Sequence, residues 1–334
     1  MSMNAPTLPP KRRPSDAIGK RITDFEDLRQ VFSRWEGRFE QLSTGAFRAT
    51  IRTVRGQSGH AFAIQANQAL LVRGSEGSQV RTLTAVLPEN TGTLFQGRSV
   101  DPGCVVVRDG EVASDLCTAK ADCSLSVGLS ESRLREAARH LHRTELHPVG
   151  WTVSKPSPRV FARFQRAVSR WIAAAGPELT QMIGPYDQHY LEQACVEAAV
   201  DVCLAEGTDR IELSAGARSQ LVRRAEQWMR ERLHASIDAV AVCAALDVSG
   251  RTLRLAFRER FGLGPMAYLQ TLRLNAARTD LKTATDEISV RDVARRLGFQ
   301  HLGKFAGYYR RQFGELPSAT LRHRRPTSLA VQRG

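Results

Sequence analysis

In the stretch "GRTLRLAFRERFGLGP", residues 250 to 265, Arg251, Arg254 and Arg258 recur at intervals of three and four. On a helix that spacing gathers all three guanidinium groups on one side, with Leu253, Phe257 and Phe261 forming the opposite, apolar side. A guanidinium holds its donors in a fixed fork, which grips a phosphate or the two acceptors on the edge of guanine. Only Glu259 stands close by in sequence to neutralise the three. A charged run of this kind is ordinarily a solvated helix face, so its surroundings decide the reading.

Those surroundings are basic. The chain of 334 residues carries 48 Lys+Arg and 34 Asp+Glu, a formal charge of +14. From Gly216 onward there are 22 basic and 10 acidic residues, a net of +12, which leaves +2 for the first 215. An excess confined to the last third points to a polyanion held by that part. Six cysteines occur without a C-x-x-C pair, the pattern of free thiols in a reducing compartment, and neither a metal nor another cofactor is expected. The N-terminal "MSMNAPTLPPKRRPSDAIGKR" lacks the apolar core of a signal peptide, and no run approaches the ~18 apolar residues that span a bilayer. The expected location is the cytoplasm, away from any membrane. No G-x-S-x-G, phosphate-binding loop or paired-carboxylate pattern appears, so no enzyme activity is expected.

The elements that must position the arginines follow from periodicity. Residues 1–22 are polar, basic and proline-rich, and read as a disordered arm. Residues 23–150 read as a β-rich effector-sensing domain, because runs such as "FRATIRTVRG" and "VRTLTAVL" alternate apolar and polar residues between Gly, Pro or Asn breaks. "SESRLREAARHLHR" (130–143) reads as a helix with Leu134, Ala137, Ala138 and Leu141 inward. Residues 151–206 contain two amphipathic helices, one with Phe161, Phe164, Val168, Trp171 and Ile172 on a single face, separated at Gly176-Pro177. Such a hairpin covers the barrel's open side, forms a dimer contact, or does both. Residues 207–216 read as a linker, 217–325 as an all-helical domain and 326–334 as a tail. The fold class is α+β: a β-barrel or sandwich with a helical hairpin, then an all-α domain.

The all-helical part contains a repeat. "VCAALDVSGRTLRLAFRERFGLGP" (242–265) aligns with "VARRLGFQHLGKFAGYYRRQFGELP" (293–317): Val242, Leu246 and Val248 match Val293, Leu297 and Phe299, and Phe257, Phe261, Gly262 and Pro265 match Tyr309, Phe313, Gly314 and Pro317. The offset changes from 51 to 52 at the turn, where loops tolerate an insertion. Each copy reads as helix, tight turn, helix. Ser289 with Asp292 caps one copy and Ser236 is the expected cap of the other. Asp247 and Gly298 are placed in the left-handed turn positions. The second helix of each copy is the one able to enter a major groove.

From about Ser236 to Arg322 the chain resembles the DNA-binding domain of the AraC/XylS family of bacterial transcription regulators, carried by "SGRTLRLAFRERFGLGPMAYLQTLRLNAARTDL" and "ISVRDVARRLGFQHLGKFAGYYRRQFGELPSATLR". The resemblance implies two helix-turn-helix units joined by a helix over about Pro265 to Leu281. Base-reading positions then fall on Arg251, Arg254, Leu255, Leu302, Gly303 and Gly307, and phosphate-contacting positions on Ser249, Thr252, Arg258, His301, Lys304, Arg310 and Arg311. Leu255 stands where the family commonly has arginine, and the two glycines offer no side chain to read a base. The front half resembles, more weakly, the cupin-like regulatory domain of that family. This implies an effector-responsive activator, usually a homodimer, acting with promoter DNA, a small molecule and RNA polymerase.

Other patterns compete with this reading. His140, His142 and His147 invite a metal site, but residues two apart on a helix point in different directions. Arg135, Arg139 and Arg143 form a stripe able to hold an anionic effector such as a cyclic dinucleotide, with a wet helix face as the plainer account. Cys104, Cys117 and Cys123 lie on expected strands, either packed or oxidant-sensing. The rival functions are a sequence-blind architectural DNA binder and a cupin-type enzyme tethered by its tail.

Overall fold

A computed structural model describes residues 18–32, 35–77, 79–175, 185–205, 209–210, 217–284 and 288–323. Residues 1–17 of the arm, 211–216 of the linker and the tail 326–334 lie outside the described residues. The strands are β1 (Ile18–Ile22), β2 (Glu36–Gln41), β3 (Ala49–Arg55), β4 (Gly59–Ala66), β5 (Leu70–Ser75), β6 (Val80–Ala85), β7 (Leu94–Phe95), β8 (Arg98–Ser99), β9 (Val105–Asp109), β10 (Ser114–Cys117), β11 (Cys123–Ser130), β12 (Trp151–Ser154) and β13 (Asp209–Arg210). The helices are α1 (Leu28–Val31), α2 (Glu131–His142), α3 (Pro158–Ala174), α4 (Pro185–Cys203), α5 (Ala217–Glu231), α6 (Ala239–Leu246), α7 (Gly250–Phe261), α8 (Pro265–Thr283), α9 (Val290–Arg296), α10 (Leu302–Phe313) and α11 (Pro317–Arg322).

The strands form two antiparallel sheets, one of eight in the order β1-β3-β4-β11-β6-β9-β12-β13 and one of five in the order β2-β5-β10-β7-β8. Because successive side chains on a strand point to opposite faces, each sheet separates two environments. On the eight-stranded sheet Ala61, Leu83, Val105, Val107, Leu125 and Val127 pack against α2, α3 and α4 through Leu134, Phe164, Trp171 and Val196. The alternate residues Phe62, Ile64, Thr84, Val106 and Ser126 line a cavity between the two sheets. Phe39, Leu70, Val72 and Leu116 line it from the five-stranded sheet. The outer face of that second sheet meets the helical domain, where Leu42, Leu71 and Cys117 join Leu221, Phe257, Phe261 and Tyr268 in one core.

The structure corrects several expectations. Residues 18–22 are not part of a disordered arm: Ile18 to Ile22 pair antiparallel with Thr53 to Ala49. A short apolar-poor segment gains its order here from ladder hydrogen bonds and from burial of Ile22 rather than from its own composition. Residues 209 and 210, placed in the linker, extend the large sheet by pairing with Val153 and Thr152. Leu141 is half exposed, because α2 ends over solvent. Ser236 is not the cap of α6; Asp238 accepts from the Ala241 amide at 2.8 Å instead, two residues closer to the helix. Cys104 precedes β9 rather than lying on a strand.

The two domains meet through buried charge. Arg230 on α5 donates to both oxygens of Glu40 on β2, at 2.7 and 2.5 Å, and to Glu226 at 2.8 Å. Arg73 on β5 bridges Glu226 at 2.5 Å and Asp115 at 2.9 Å, and Arg260 on α7 reaches the same Asp115 oxygen at 2.5 Å. Burial by itself raises the Glu226 carboxyl; Arg73 and Arg230 override it and hold the group at about 2. An unfolded glutamate titrates near 4.5, so this depressed value stabilises the fold above that pH and the contribution is lost as pH falls from about 4.5 toward 2, a difference of about 3 kcal/mol. Glu226→Gln is therefore expected to lower the melting midpoint at neutral pH and to flatten its decline through that acid window. Equal acid sensitivity in the two proteins, followed by circular dichroism, would refute the assignment.

Candidate nucleic-acid interface

Each helix-turn-helix copy is set by local chemistry. Asp247 closes α6 at φ 53° and Gly298 ends the first helix of the other copy at φ 78°. Both positions lie in the left-handed region, which Gly enters freely and Asp tolerates. Ser249 caps α7 by accepting from the Thr252 amide at 3.1 Å, and Ser289 and Asp292 cap α9 reciprocally. The inner faces are buried: Leu253, Phe257 and Phe261 in the first copy, Phe305, Tyr309 and Phe313 in the second. The α8 helix lies between the copies, contributing Tyr268, Leu269 and Leu272 to the first core and Leu274, Ala277 and Leu281 to the second.

With those faces inward, Arg251, Thr252, Arg254, Leu255 and Arg258 of α7 are exposed. Glu259, the acid closest in sequence, is engaged elsewhere by Arg218 at 2.6 Å. Among the described residues none forms an ion pair with Arg251, Arg254 or Arg258, so their guanidinium groups face solvent unneutralised. In the second copy His301, just before α10, and Leu302, Gly303, Lys304, Gly307, Arg310 and Arg311 on it are exposed. A Cβ at Gly303 or Gly307 would meet nothing within 4 Å, so the fold does not require glycine at either place. The first copy therefore presents charged forks, and the second a bare stripe flanked by cations. Leu255, Leu302 and Tyr308 are among the exposed large apolar side chains, a kind of group suited to thymine methyls.

Some sequence-level candidates belong elsewhere. Arg260 shares the arginine-rich helix yet is buried against Asp115. Its offset of seven from Leu253 and three from Phe257 was the signal that it lies on the inner face. Arg135 and Arg139 pair with Glu131 and Glu145, and Arg143 leaves the helix at φ 53°, which breaks the stripe proposed for an anion. His142 lies 3.1 Å from Asp201. Burial pushes the Cys117 thiol up to about 11, the opposite of the thiolate character that an oxidant sensor needs.

Residues 242–323 match a family described as a helix-turn-helix domain. The XylDLEGF operon transcriptional activator 2 of Pseudomonas putida is 38% identical over 99 residues, 29% of this chain and 63% of that protein. A probable thc operon regulatory protein of Rhodococcus erythropolis is 35% identical over 103 residues, 30% of this chain and 31% of its own length. A solved structure of a probable AraC family transcriptional regulator from Rhodopseudomonas palustris is 34% identical, covering 32% of this chain and 99% of that one, with a TM-score of 0.30. The chain thus spans between about a third and two thirds of these curated relatives. Arg254→Ala is expected to change which duplexes are preferred, whereas Lys304→Ala weakens all duplexes alike and reduces the salt slope by about 1. Competition binding at two salt concentrations distinguishes these, and the reverse pattern would overturn the assignment.

Proposed function

Since the C-terminal domain of this chain is that of the AraC/XylS family of transcription regulators, we propose that the whole protein is a sequence-specific, effector-responsive activator that catalyses no reaction. The observation that carries this is the unneutralised arginine face of α7, held outward by a buried core in a duplicated helix-turn-helix. Arg251, Arg254 and Leu255 read bases in one major-groove segment. Leu302, Gly303 and Gly307, with Tyr308 beside them, face the next. Ser249, Thr252, Arg258, His301, Lys304, Arg310 and Arg311 hold phosphates, although the Ser249 and Thr252 hydroxyls also bond each other at 2.9 Å. The 19 residues of α8 set the separation of the two units, about 28 Å at 1.5 Å per residue.

The cavity between the two sheets is the effector chamber in this reading, and α3 with α4 supplies the contact for a homodimer. RNA polymerase is the further partner of an activator, and the cytoplasm is where such a protein meets promoter DNA. The relatives named as operon regulators support this over a tethered cupin-type enzyme. An architectural binder would treat all duplexes alike, while two exposed forks on one helix favour discrimination.

Selection of duplexes from a random-sequence pool by the full chain tests the proposal. The expected product is a consensus of two blocks about 10 base pairs apart, the block read by the first unit being the more constrained. The selected duplex should bind at least about 1,000-fold tighter than random DNA at physiological salt. A pool that shows no enrichment refutes sequence-specific regulation.

A further inference from the structure

The chamber is walled largely by rings, with charged side chains at two places, Arg108 beside Glu76 and, apart from them, Asp122. Phe32, Phe39 and Phe62 cluster together, with ring centroids 4.9 and 6.1 Å from Phe32. The cavity measures about 120 Å³, close to the roughly 150 Å³ that accommodates a benzene ring. Trp151 and Arg108 lie directly opposite each other on β12 and β9, and both line the space. Trp151 is only 4% exposed, and its Nε1 donor has no hydrogen-bond partner among the described residues. Arg108 donates to the Val112 carbonyl at 2.8 Å and stands 3.9 Å from Glu76, which accepts from Thr82 at 2.6 Å. Arg108 and Glu76 offset each other, and Asp122, the other acid lining the chamber, accepts from Asn90, Thr93 and Ser124, so among the described residues the lining offers an unused donor but no cation free to attract an anion. A buried donor without a partner is destabilising, and an acceptor on a bound molecule would relieve that cost.

The same sheet that walls the chamber carries the docking face. On β2 Phe39 points in while Glu40 holds Arg230; on β5 Val72 points in while Arg73 holds Glu226; on β10 Leu116 points in while Asp115 holds Arg260. Adjacent residues on a strand cannot move independently, so an occupant that shifts the inner side chains displaces the outer ones.

Resting on the reading of the chamber as an effector site, we infer that it takes an uncharged molecule of about one ring carrying a hydrogen-bond acceptor, received by Trp151, and that the five-stranded sheet passes its presence to α5 and α7. Occupancy and DNA binding are then linked, each changing the other's affinity by the same factor.

The test uses the full chain, with acetophenone as the probe and benzoate and ethylbenzene as charged and acceptor-free controls, in calorimetric titrations. Acetophenone is expected to bind about fivefold or more tightly than either control, with Trp151→Phe removing its advantage over ethylbenzene. Saturating acetophenone should shift the dissociation constant for the selected duplex about fivefold or more, and Arg230→Gln should abolish that shift. If the glutamine variant does not fold, Arg230→Lys, which keeps the charge but loses the fork, should at least halve the shift on a logarithmic scale. Absence of binding by all three compounds, benzoate or ethylbenzene binding as tightly as acetophenone, or an unchanged preference in Trp151→Phe overturns the ligand class. An unchanged duplex affinity at saturation, or a shift of full size in the Arg230 variant that folds, overturns the transmission. Duplex selection is performed without any probe, so a consensus with no ligand effect defeats this inference while leaving DNA-binding regulation standing.

Discussion

Glu226 accepts from Arg73 on a strand and from Arg230 on its own helix, and those two arginines in turn hold Asp115 and Glu40. Five carboxylate and guanidinium groups largely removed from water in this way attract strongly only because each has its counter-charge in bonding distance. Glu226 and Asp115 each accept from two arginines, and Arg73 and Arg230 each reach two carboxylates, so the cluster joins the β-domain to the helical domain as one continuous network. The N-terminal arm of the β-domain adds a second junction of the same kind, with Arg278 donating to Asp24 at 2.8 Å and to Glu315 at 2.7 Å. Burial by itself raises the Asp24 carboxyl, and Arg278 and Lys282 together hold it below its ordinary value.

Between the two charged junctions lies a neutral one. The edge strand β2 presents the backbone of Gln41, whose N–H donates to the Asn275 side chain at 2.9 Å and whose carbonyl accepts from Asn275 and Gln312. An asparagine amide thus stands in for the missing strand, which satisfies an edge that would otherwise pair with another chain. Asn275 belongs to α8 and Gln312 to α10, so one strand end is tied to the connecting helix and to the second recognition helix together. The β-domain consequently touches both helix-turn-helix copies, the first through the core that Leu42, Leu71 and Cys117 share with it and the second through Phe25, whose ring stacks on Phe313 at 6.1 Å.

The recognition helices follow from a sequence pattern that repeats twice, because helix faces, caps and left-handed turns are decided within a few residues of one another. Leu253, Phe257, Phe305 and Tyr309 had to be inward once their spacing was read. The strand-rich character of the first half was legible for the same reason, from alternation alone. Which strands are neighbours was not: β11 lies between β4 and β6, and β12 pairs with β9, through contacts that alternation leaves open. The inward place of Arg260 follows from its spacing to Leu253 and Phe257, but its partner does not, since Asp115 is 145 positions away.

What the amino-acid order determined by itself is the local material: two groove-sized helical units, a basic last third, and strands with two unlike faces. What only the tertiary structure decided is how those faces are used, with one side of the five-stranded sheet enclosing a ring-walled space and the other gripping the helical domain. The division has a physical cause. Periodicity and capping act over one or two turns of chain, whereas a buried carboxylate is stabilised by whichever cation the whole fold brings to it, and no spacing in the sequence records that meeting.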